Sequence, residues 1–370
     1  MKTSTPIENN RGIPSGGSES AFTLVELMVA SAILAMLVGL LLTMVTQTSK
    51  TWKSTSGKIE QFRDARDAFD AMTRKLSQAT LNSYLDYDNP NNPKAYIRQS
   101  ELRFLSGPAS NILGSTLASN MPTMAVFFQA PAGFATNSPD TVLQSSLNTW
   151  GYFLEYASDT NARPGFLPSG TPLARSRYRL MEFMEPTENL SVYNYTATSS
   201  TSRSTYTNVD WITNSLSGTP RPAHVLAENV IALILLPKLS PSDWASNSSH
   251  SNTYYAYSLA SNYVYDSSIN QNSNSASAQD KACLNTHNQL PPVVQVTLIA
   301  VDETTAVRFP VPYSNLASTF SASNWFTNAA NFQSDLSNCQ SYLSTKNFNF
   351  RVFTTDVMIR GAKWSISQTN

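Results

Sequence analysis

Side chains able to do chemistry are few and scattered in this chain, except near its apolar N-terminal run. The three histidines, His224, His250 and His287, stand apart from one another, and none lies in an HExxH pattern or a Ser-His-Asp order. The sequence therefore predicts neither a zinc hydrolase nor a triad enzyme. We expect His250 and His287, which lie in polar stretches, to face solvent, and His224 to be structural.

The other ligand-type residues also form no pattern. Asp86, Asp88 and Asn89 lie close together, but the glycine and the distal glutamate of a calcium loop are absent. No phosphate-binding glycine loop follows a predicted strand. The two cysteines, Cys283 and Cys339, lack zinc-ligand spacing, and they either form a disulfide or remain separate buried thiols. We expect no catalysis, no metal and no cofactor.

Glu26 is the exception, because it lies inside an apolar block. The run from Leu27 to Ser49 has no charged residue, and a helix over it is long enough to cross the roughly 30 Å core of a bilayer. A buried helix of a soluble protein is the alternative, but such a helix rarely lacks a polar face. A carboxylate in lipid costs about 2.5–3.5 kcal/mol on insertion scales. Glu26 is therefore a functional candidate that needs a partner.

Composition narrows the class of protein. Lys plus Arg and Asp plus Glu both number 25, so net charge favours neither nucleic acid nor an acidic surface as a partner. Charged residues make up 14% of the chain, below the roughly 25% of average soluble domains, and Ser, Thr, Asn and Tyr take their place. This profile is typical of secreted or surface-exposed β-rich proteins.

The start of the apolar run carries a family resemblance. A polar leader precedes it, whereas an ordinary secretory signal peptide has a basic start and a short apolar region before its cleavage site. Seven residues at the junction resemble the prepilin peptidase recognition motif of type IV pilins and type II secretion pseudopilins: Ala21-Phe22-Thr23-Leu24-Val25-Glu26-Leu27.

The resemblance implies cleavage by prepilin peptidase between Ala21 and Phe22, with methylation of the new Phe22 amine. The family usually has glycine where this chain has Ala21, which keeps the small size. The resemblance also implies that the Phe22 ammonium of one subunit pairs with Glu26 of its neighbour in a filament, which removes the burial cost on assembly. It places the chain in a bacterial inner membrane, with the C-terminal part in the periplasm or at the cell surface.

We predict an α+β, pilin-like fold, in which a long N-terminal helix packs on an antiparallel sheet domain with long loop insertions. The expected order is a leader over 1–21, a transmembrane helix over 22–48, an amphipathic stem helix over 49–82 and an extracytoplasmic β domain over 83–370. One apolar stripe of the stem recurs at helical spacing. Its members are Trp52, Ile59, Phe62, Phe69, Met72, Leu76 and Ala79.

Aromatic and β-branched runs bounded by turn residues predict seven strands. They are Glu101–Ser106, Thr123–Gln129, Trp150–Ala157, Ser176–Met184, Ile231–Pro237, Val293–Asp302 and Phe348–Lys363. Short helices are expected at Leu226–Asn229 and Asn328–Thr345.

Two stretches rich in Ser, Asn, Thr and Tyr, about 187–221 and 240–289, predict long surface insertions. Their tyrosines either form a binding surface or, as we favour, pack the loops onto the sheet. The tyrosines in question are Tyr254, Tyr255, Tyr257, Tyr263 and Tyr265.

A further resemblance covers Leu226 to Val230, Leu290 to Leu298 and Arg66 to Ala79. These stretches are similar to J-type minor pseudopilins of type II secretion and to large prepilin-like proteins of Verrucomicrobia-type bacteria.

The sequence leaves three hypotheses for the function. The first is a filament subunit partnered by prepilin peptidase, other pilins and the inner membrane. The second is a membrane-anchored adhesin or binding protein that uses the Tyr/Asn-rich loops, and the third is a tethered hydrolase. Only the first accounts for both Glu26 and the leader.

Overall fold

The structure, a computed structural model, describes residues 22–89, 91–137, 145–158, 176–195, 209–246, 257–270, 284–308 and 325–365. The chain divides into two compact units, Met1–Gly57 and Lys58–Asn370, and helix α1 (Leu24–Leu76) runs through both. The predicted α+β class is confirmed, since a long N-terminal helix precedes antiparallel sheets. Five shorter helices follow in the described residues: α2 (Ala109–Leu117), α3 (Asp210–Ser217), α4 (Pro241–Ser246), α5 (Glu303–Arg308) and α6 (Phe332–Thr345).

The strands of the second unit form three sheets, and every strand pair in the described residues is antiparallel. The largest sheet has the order β7-β6-β5-β4-β3-β9, the second has the order β11-β10-β8, and β1 and β2 form a separate hairpin. The strands are β1 (Tyr84–Tyr87), β2 (Tyr96–Gln99), β3 (Leu105–Pro108), β4 (Met124–Pro131), β5 (Leu147–Ser158), β6 (Ser176–Glu185), β7 (Ala223–Glu228), β8 (Val230–Lys238), β9 (Tyr265–Asp266), β10 (Val293–Val301) and β11 (Phe350–Met358).

Both faces of the six-stranded sheet are buried, in two separate cores. Successive side chains of a strand point to opposite faces, so Phe127 and Phe128 of β4 enter different cores. On one side the sheet contacts β8, whose residues from Val230 to Pro237 are all buried, together with the C-terminal part of α1. On the other side it is covered by α2 and α3, with Ile112 and Trp211 in the second core. Burial on two faces explains why the inner strand β4 is apolar almost without interruption.

The predicted stem stripe is confirmed only over its C-terminal part, because Trp52 is exposed and Phe62 is half-buried. Phe69, Met72, Leu76 and Ala79 are buried in the main core, and the Phe69 ring lies 5.9 Å from that of Phe353. The helix ends at Leu76, ahead of the predicted end of the stem at residue 82, and the side chain of Ile59 lies outside the described residues.

The seven predicted strands correspond to β3, β4, β5, β6, β8, β10 and β11, with β3 starting at Leu105 instead of Glu101, and α6 confirms the helix expected over Asn328–Thr345. The helix expected at Leu226–Asn229 is wrong. Those residues lie in β7, which pairs with β6, and in the turn that follows it. Asn229 makes that turn with a φ of 61° and donates its N–H to the Tyr178 carbonyl at 2.8 Å. Pairing across the sheet thus overrides the local helical preference.

The two polar stretches are not surface insertions throughout. In the first, Trp211 of α3 is only 2% exposed and packs in the second core with Ile212. In the second, β9 is an edge strand of the six-stranded sheet, and Leu259 is fully buried. A few large apolar side chains therefore anchor part of each stretch in a core.

Gly151 of β5 lies where the second core has no room for a side chain. A Cβ there would lie inside contact distance of the Phe127 ring and 3.2 Å from the Cβ of Phe183. We expect Gly151→Ala to destabilise the sheet domain by about 1–3 kcal/mol, as overpacking does. Urea unfolding followed by tryptophan fluorescence measures this.

Gly57→Ala is the matched control, since nothing lies within 4 Å of a Cβ at that position. It should leave the unfolding midpoint unchanged or raise it. Equal midpoints for Gly151→Ala and wild type would contradict the packing described for β5.

Candidate assembly site

The first unit presents an apolar helix surface that no described residue covers. Phe22 is 84% exposed, and the large apolar side chains from Leu24 to Val45 are exposed around the helix. α1 is long and apolar enough to cross a membrane, with a mean hydropathy of 2.5 over its most apolar window. The polar groups within this part are satisfied locally: the hydroxyls of Ser31 and Thr43 donate to the Met28 and Leu40 carbonyls at 2.9 and 2.7 Å. Such bonds make hydroxyls tolerable in lipid.

Glu26 and Thr23 close the N-terminus of α1 with reciprocal hydrogen bonds. The backbone N–H of Thr23 donates to Glu26 Oε2 at 3.0 Å, and the Thr23 hydroxyl donates to the same oxygen at 2.9 Å. In return, the backbone N–H of Glu26 donates to Thr23 Oγ1 at 3.3 Å. This is a capping box, with threonine at the N-cap and glutamate three residues later.

The capping box supplies hydrogen bonds to only one of the two carboxylate oxygens of Glu26. Both hydrogen bonds from Thr23 to its carboxylate reach Oε2, and no described residue donates to Oε1. The carboxylate is thus held in one rotamer, one turn from Phe22, with an oxygen left for an external donor. Because the box involves atoms of Thr23 and Glu26 alone, a cut before Phe22 leaves it intact.

The remaining predicted site residues are placed as follows. Ala21 and Cys283 lie outside the described residues, so the cleavage site and the disulfide stay predictions. Cys339 is fully buried on α6, and burial raises the pKa of its thiol to about 12. It is therefore protonated at neutral pH.

The histidines of the described residues are dispersed, and His250 lies outside them. His224 is exposed on β7, opposite Glu182. The expectation of a solvent-facing His287 is wrong: it is half-buried, and burial lowers the pKa of its imidazole. Within the described ranges, no group of three His, Cys, Asp or Glu side chains is placed to hold a metal ion.

Asp88 has a structural role in the β1–β2 hairpin. Its Oδ1 accepts the backbone N–H groups of Lys94 and Ala95 at 2.8 and 3.2 Å, and these bonds lower the pKa of its carboxyl. Asn89 similarly accepts the N–H of Asn91 at 2.9 Å. The carboxylate and amide thus close a loop.

The tyrosines of the second polar stretch mostly serve packing. Tyr263 and Tyr265 are fully buried in the main core, which confirms the packing interpretation for these two. Tyr257 lies edge-on to Trp244, with ring centroids 5.5 Å apart. Tyr254 and Tyr255 lie outside the described residues.

The hydrogen bonds between Thr23 and Glu26 were not predicted from the sequence. Their signal was present, because Ser/Thr-x-x-Glu ahead of an apolar run is the sequence pattern of a capping box.

Comparison with known families agrees with this geometry. The prokaryotic N-terminal methylation motif matches residues 17–42, a range that includes the leader junction, the capping box and the first turns of α1. The full chain has no significant match among curated proteins or solved structures. At its N-terminus the chain carries the methylation motif of type IV prepilin-like proteins, and this motif indicates a type IV pilin-like precursor.

Proposed function

We propose that this chain is the precursor of a minor subunit in a type II secretion or type IV pilus-like filament. Prepilin peptidase cuts it between Ala21 and Phe22, the Phe22 amine is methylated, and the mature subunit joins other pilins or pseudopilins. The subunit has no catalysis of its own and binds no nucleic acid.

The observation that carries this proposal is the capped carboxylate of Glu26. The capping box holds it one turn from the new N-terminus and leaves Oε1 without a described donor. An ammonium from the Phe22 of a neighbouring subunit supplies the charge-assisted hydrogen bond that this oxygen lacks. The α1 helix after Glu26 has exposed apolar side chains on all sides, and these can contact either lipid or the apolar helices of other subunits.

The length of the N-terminal helix supports a place in the inner membrane. From Leu24 to Trp52 it rises about 42 Å, close to the roughly 40–45 Å of a bilayer with its headgroups. Trp52 is exposed and stands between Lys50 and Lys53, a set of residues typical of a membrane–water interface. We infer that the second unit lies on the extracytoplasmic side, in the periplasm or at the cell surface.

The size of the sheet domain favours a minor subunit of the filament over a major one. The two long segments at about 187–221 and 240–289 enlarge the sheet domain and would obstruct the close lateral packing of a major subunit. The resemblance of Leu226 to Val230 and Leu290 to Leu298 to J-type minor pseudopilins points the same way.

Processing is the direct test. We expect the protein from its native membrane to begin at Phe22 and to carry one added methyl group, as measured by intact mass and N-terminal sequencing. Ala21→Leu should block the cut, because a bulky side chain replaces the small residue before the bond.

Ala21→Gly, which restores the residue usual in the family, is the control and should be processed like wild type. Residues 1–21 still attached to the wild-type chain in cells with an active prepilin peptidase would overturn the proposal.

A further inference from the structure

The sheet domain has a cavity of about 380 Å³ with no assigned role. It lies where the start of α2, the start of β4 and the segment before α6 meet. We call it the Trp325 cavity, and the residues that matter for its chemistry are Ser110, Asn111, Thr123, Asn262, Trp325 and Thr327. Its volume is at the lower end of the roughly 300–1,000 Å³ range of small-molecule sites, which suits a ligand of one or two rings.

The described residues that line the Trp325 cavity carry no charge. None of the described residues that line it is Asp, Glu, Lys, Arg or His. An ionised ligand entering it would lose hydration without gaining a counter-charge, so the lining favours an uncharged ligand. The Oδ1 atoms of Asn111 and Asn262 accept from the Ser110 hydroxyl at 3.4 Å and the Val264 N–H at 3.2 Å. Each amide still offers its NH₂ donor and the second lone pair of its oxygen, which match hydroxyl groups because hydroxyls both donate and accept.

Trp325 provides an aromatic wall held in place by its surroundings. Its ring lies edge-on to Tyr342, with centroids 5.9 Å apart and planes at 68°. The next residue, Phe326, is buried and donates its N–H to the buried carboxylate of Asp335 at 2.9 Å. Ala329 donates its N–H to the Ser261 carbonyl at 2.7 Å. The negative face of an indole attracts the polarised C–H groups of a sugar ring.

Two residues of the lining have unusual backbone conformations. Thr123 has a φ of 66° and Phe326 a φ of 57°. Positive φ is a genuine outlier for a β-branched or bulky residue, and such conformations cluster at ligand sites. At Thr123 the conformation is retained because its carbonyl accepts the Ala109 N–H at 2.9 Å and its hydroxyl accepts the Leu233 N–H at 3.2 Å.

We propose that the Trp325 cavity binds a neutral sugar, one ring stacked on Trp325 and its hydroxyls bonded to Asn111 and Asn262. The ligand class is an uncharged mono- or disaccharide, free or as the end of a glycan chain. This site is separate from the N-terminal helix and does not rest on filament assembly.

The test uses the full chain in a zwitterionic detergent that has no sugar headgroup. The probes are maltose and N-acetylglucosamine as neutral sugars, with glucuronate and glucosamine as charged counterparts. Saturation-transfer NMR and titration by isothermal calorimetry measure binding. We expect at least one neutral sugar to bind and both charged ones to bind at least about tenfold more weakly. A lack of binding by both neutral sugars, or equal binding of the charged ones, would overturn the proposal.

Substitution localises the site. Trp325→Ala should weaken neutral-sugar binding about tenfold or more, since it removes the stacking contact. Trp244→Ala is the matched control, because Trp244 is also half-buried and edge-on to a tyrosine, yet it does not line the cavity. Asn262→Asp, at an exposed position, places a charge in the lining without disturbing the core, and it should also weaken binding. Unchanged affinity in both Trp325→Ala and Asn262→Asp would refute the site.

Discussion

Glu26→Gln is expected to be cleaved and inserted into the membrane but to be largely absent from filaments. Glutamine keeps an acceptor for the Thr23 N–H and thus preserves the capping box, since both Glu and Gln serve at that position. It lacks the negative charge that pairs with a neighbour's Phe22 ammonium. A hydrogen bond to a charged group contributes about 1.5–3 kcal/mol, so incorporation should fall about tenfold or more.

Glu26→Ala removes both the charge and the cap, and it should fail to assemble as well. Insertion of its monomer should be at least as good as in wild type, because the carboxylate costs about 2.5–3.5 kcal/mol in lipid. Cleavage should persist, since the bond that is cut precedes Phe22. The measurement compares membrane-embedded fractions with sheared or cross-linked multimers for each variant.

Two further variants separate the roles of this site. Thr23→Val removes the hydroxyl of the capping box and keeps the Glu26 charge, so it should assemble better than Glu26→Gln. Asp64→Asn changes an exposed carboxylate on the same helix and should assemble like wild type. Wild-type incorporation of Glu26→Gln would show that Glu26 serves α1 only as a cap, and it would remove the assembly role.

The N-terminal motif can be recognised from the sequence because its signals are local. A single acid in an apolar run identifies Glu26, and the residues around it identify the motif. Thr23 could have been found in the same way. The chemistry there depends on atoms within one helical turn, which periodicity and spacing can resolve.

The long elements of the sheet domain were also predictable. β4, β5, β6, β8, β10 and β11 are each at least eight residues long and rich in aromatic or β-branched residues, and turn residues such as Gly and Pro separate several of them. Most of the short strands were not predicted, as β9 shows with its two residues. Its place at the sheet edge depends on pairing with β3, far away in sequence, and no local pattern predicts such a contact.

The burial of residues in the two polar stretches was not predicted either, because it also depends on contacts between residues far apart in sequence. Composition suggested a surface loop around Trp211, but one large aromatic side chain anchors α3 over the second core. The Trp325 cavity likewise joins segments near residues 111, 262 and 325, which only the folded chain brings together.

Substitution in the buried ion pair of Arg103 and Asp266 is expected to have a large effect on the stability of the sheet domain. Arg103 Nε donates to Asp266 Oδ1 at 2.9 Å, and a second guanidinium nitrogen donates to Oδ2. The two residues are only 5% and 6% exposed. Asp266 Oδ1 also accepts the Ser268 N–H at 2.9 Å and the Ser268 hydroxyl at 2.7 Å. This cluster ties β9 to the segment that leads into β3.

Asp266→Ala should destabilise the sheet domain by about 3–5 kcal/mol, because it takes the bidentate carboxylate partner away from the buried Arg103 guanidinium. Urea unfolding of the full chain in micelles, followed by tryptophan fluorescence, measures the change. The double variant Arg103→Met with Asp266→Leu removes both charges and should recover most of the loss, since apolar replacements of a buried pair are often neutral.

An exposed pair on α1 supplies the matched control. Arg63 and Asp67 approach to 3.9 Å one turn apart, with side chains 77% and 69% exposed. Because solvent screens such pairs, Asp67→Ala should change the free energy of unfolding by less than about 1 kcal/mol. If Asp266→Ala lowers the free energy of unfolding no more than Asp67→Ala does, the prediction is wrong. That result would mean that the guanidinium of Arg103 reaches water once Asp266 is removed. Strand pairing and buried aromatic contacts, instead of charge, would then hold β9 to the sheet.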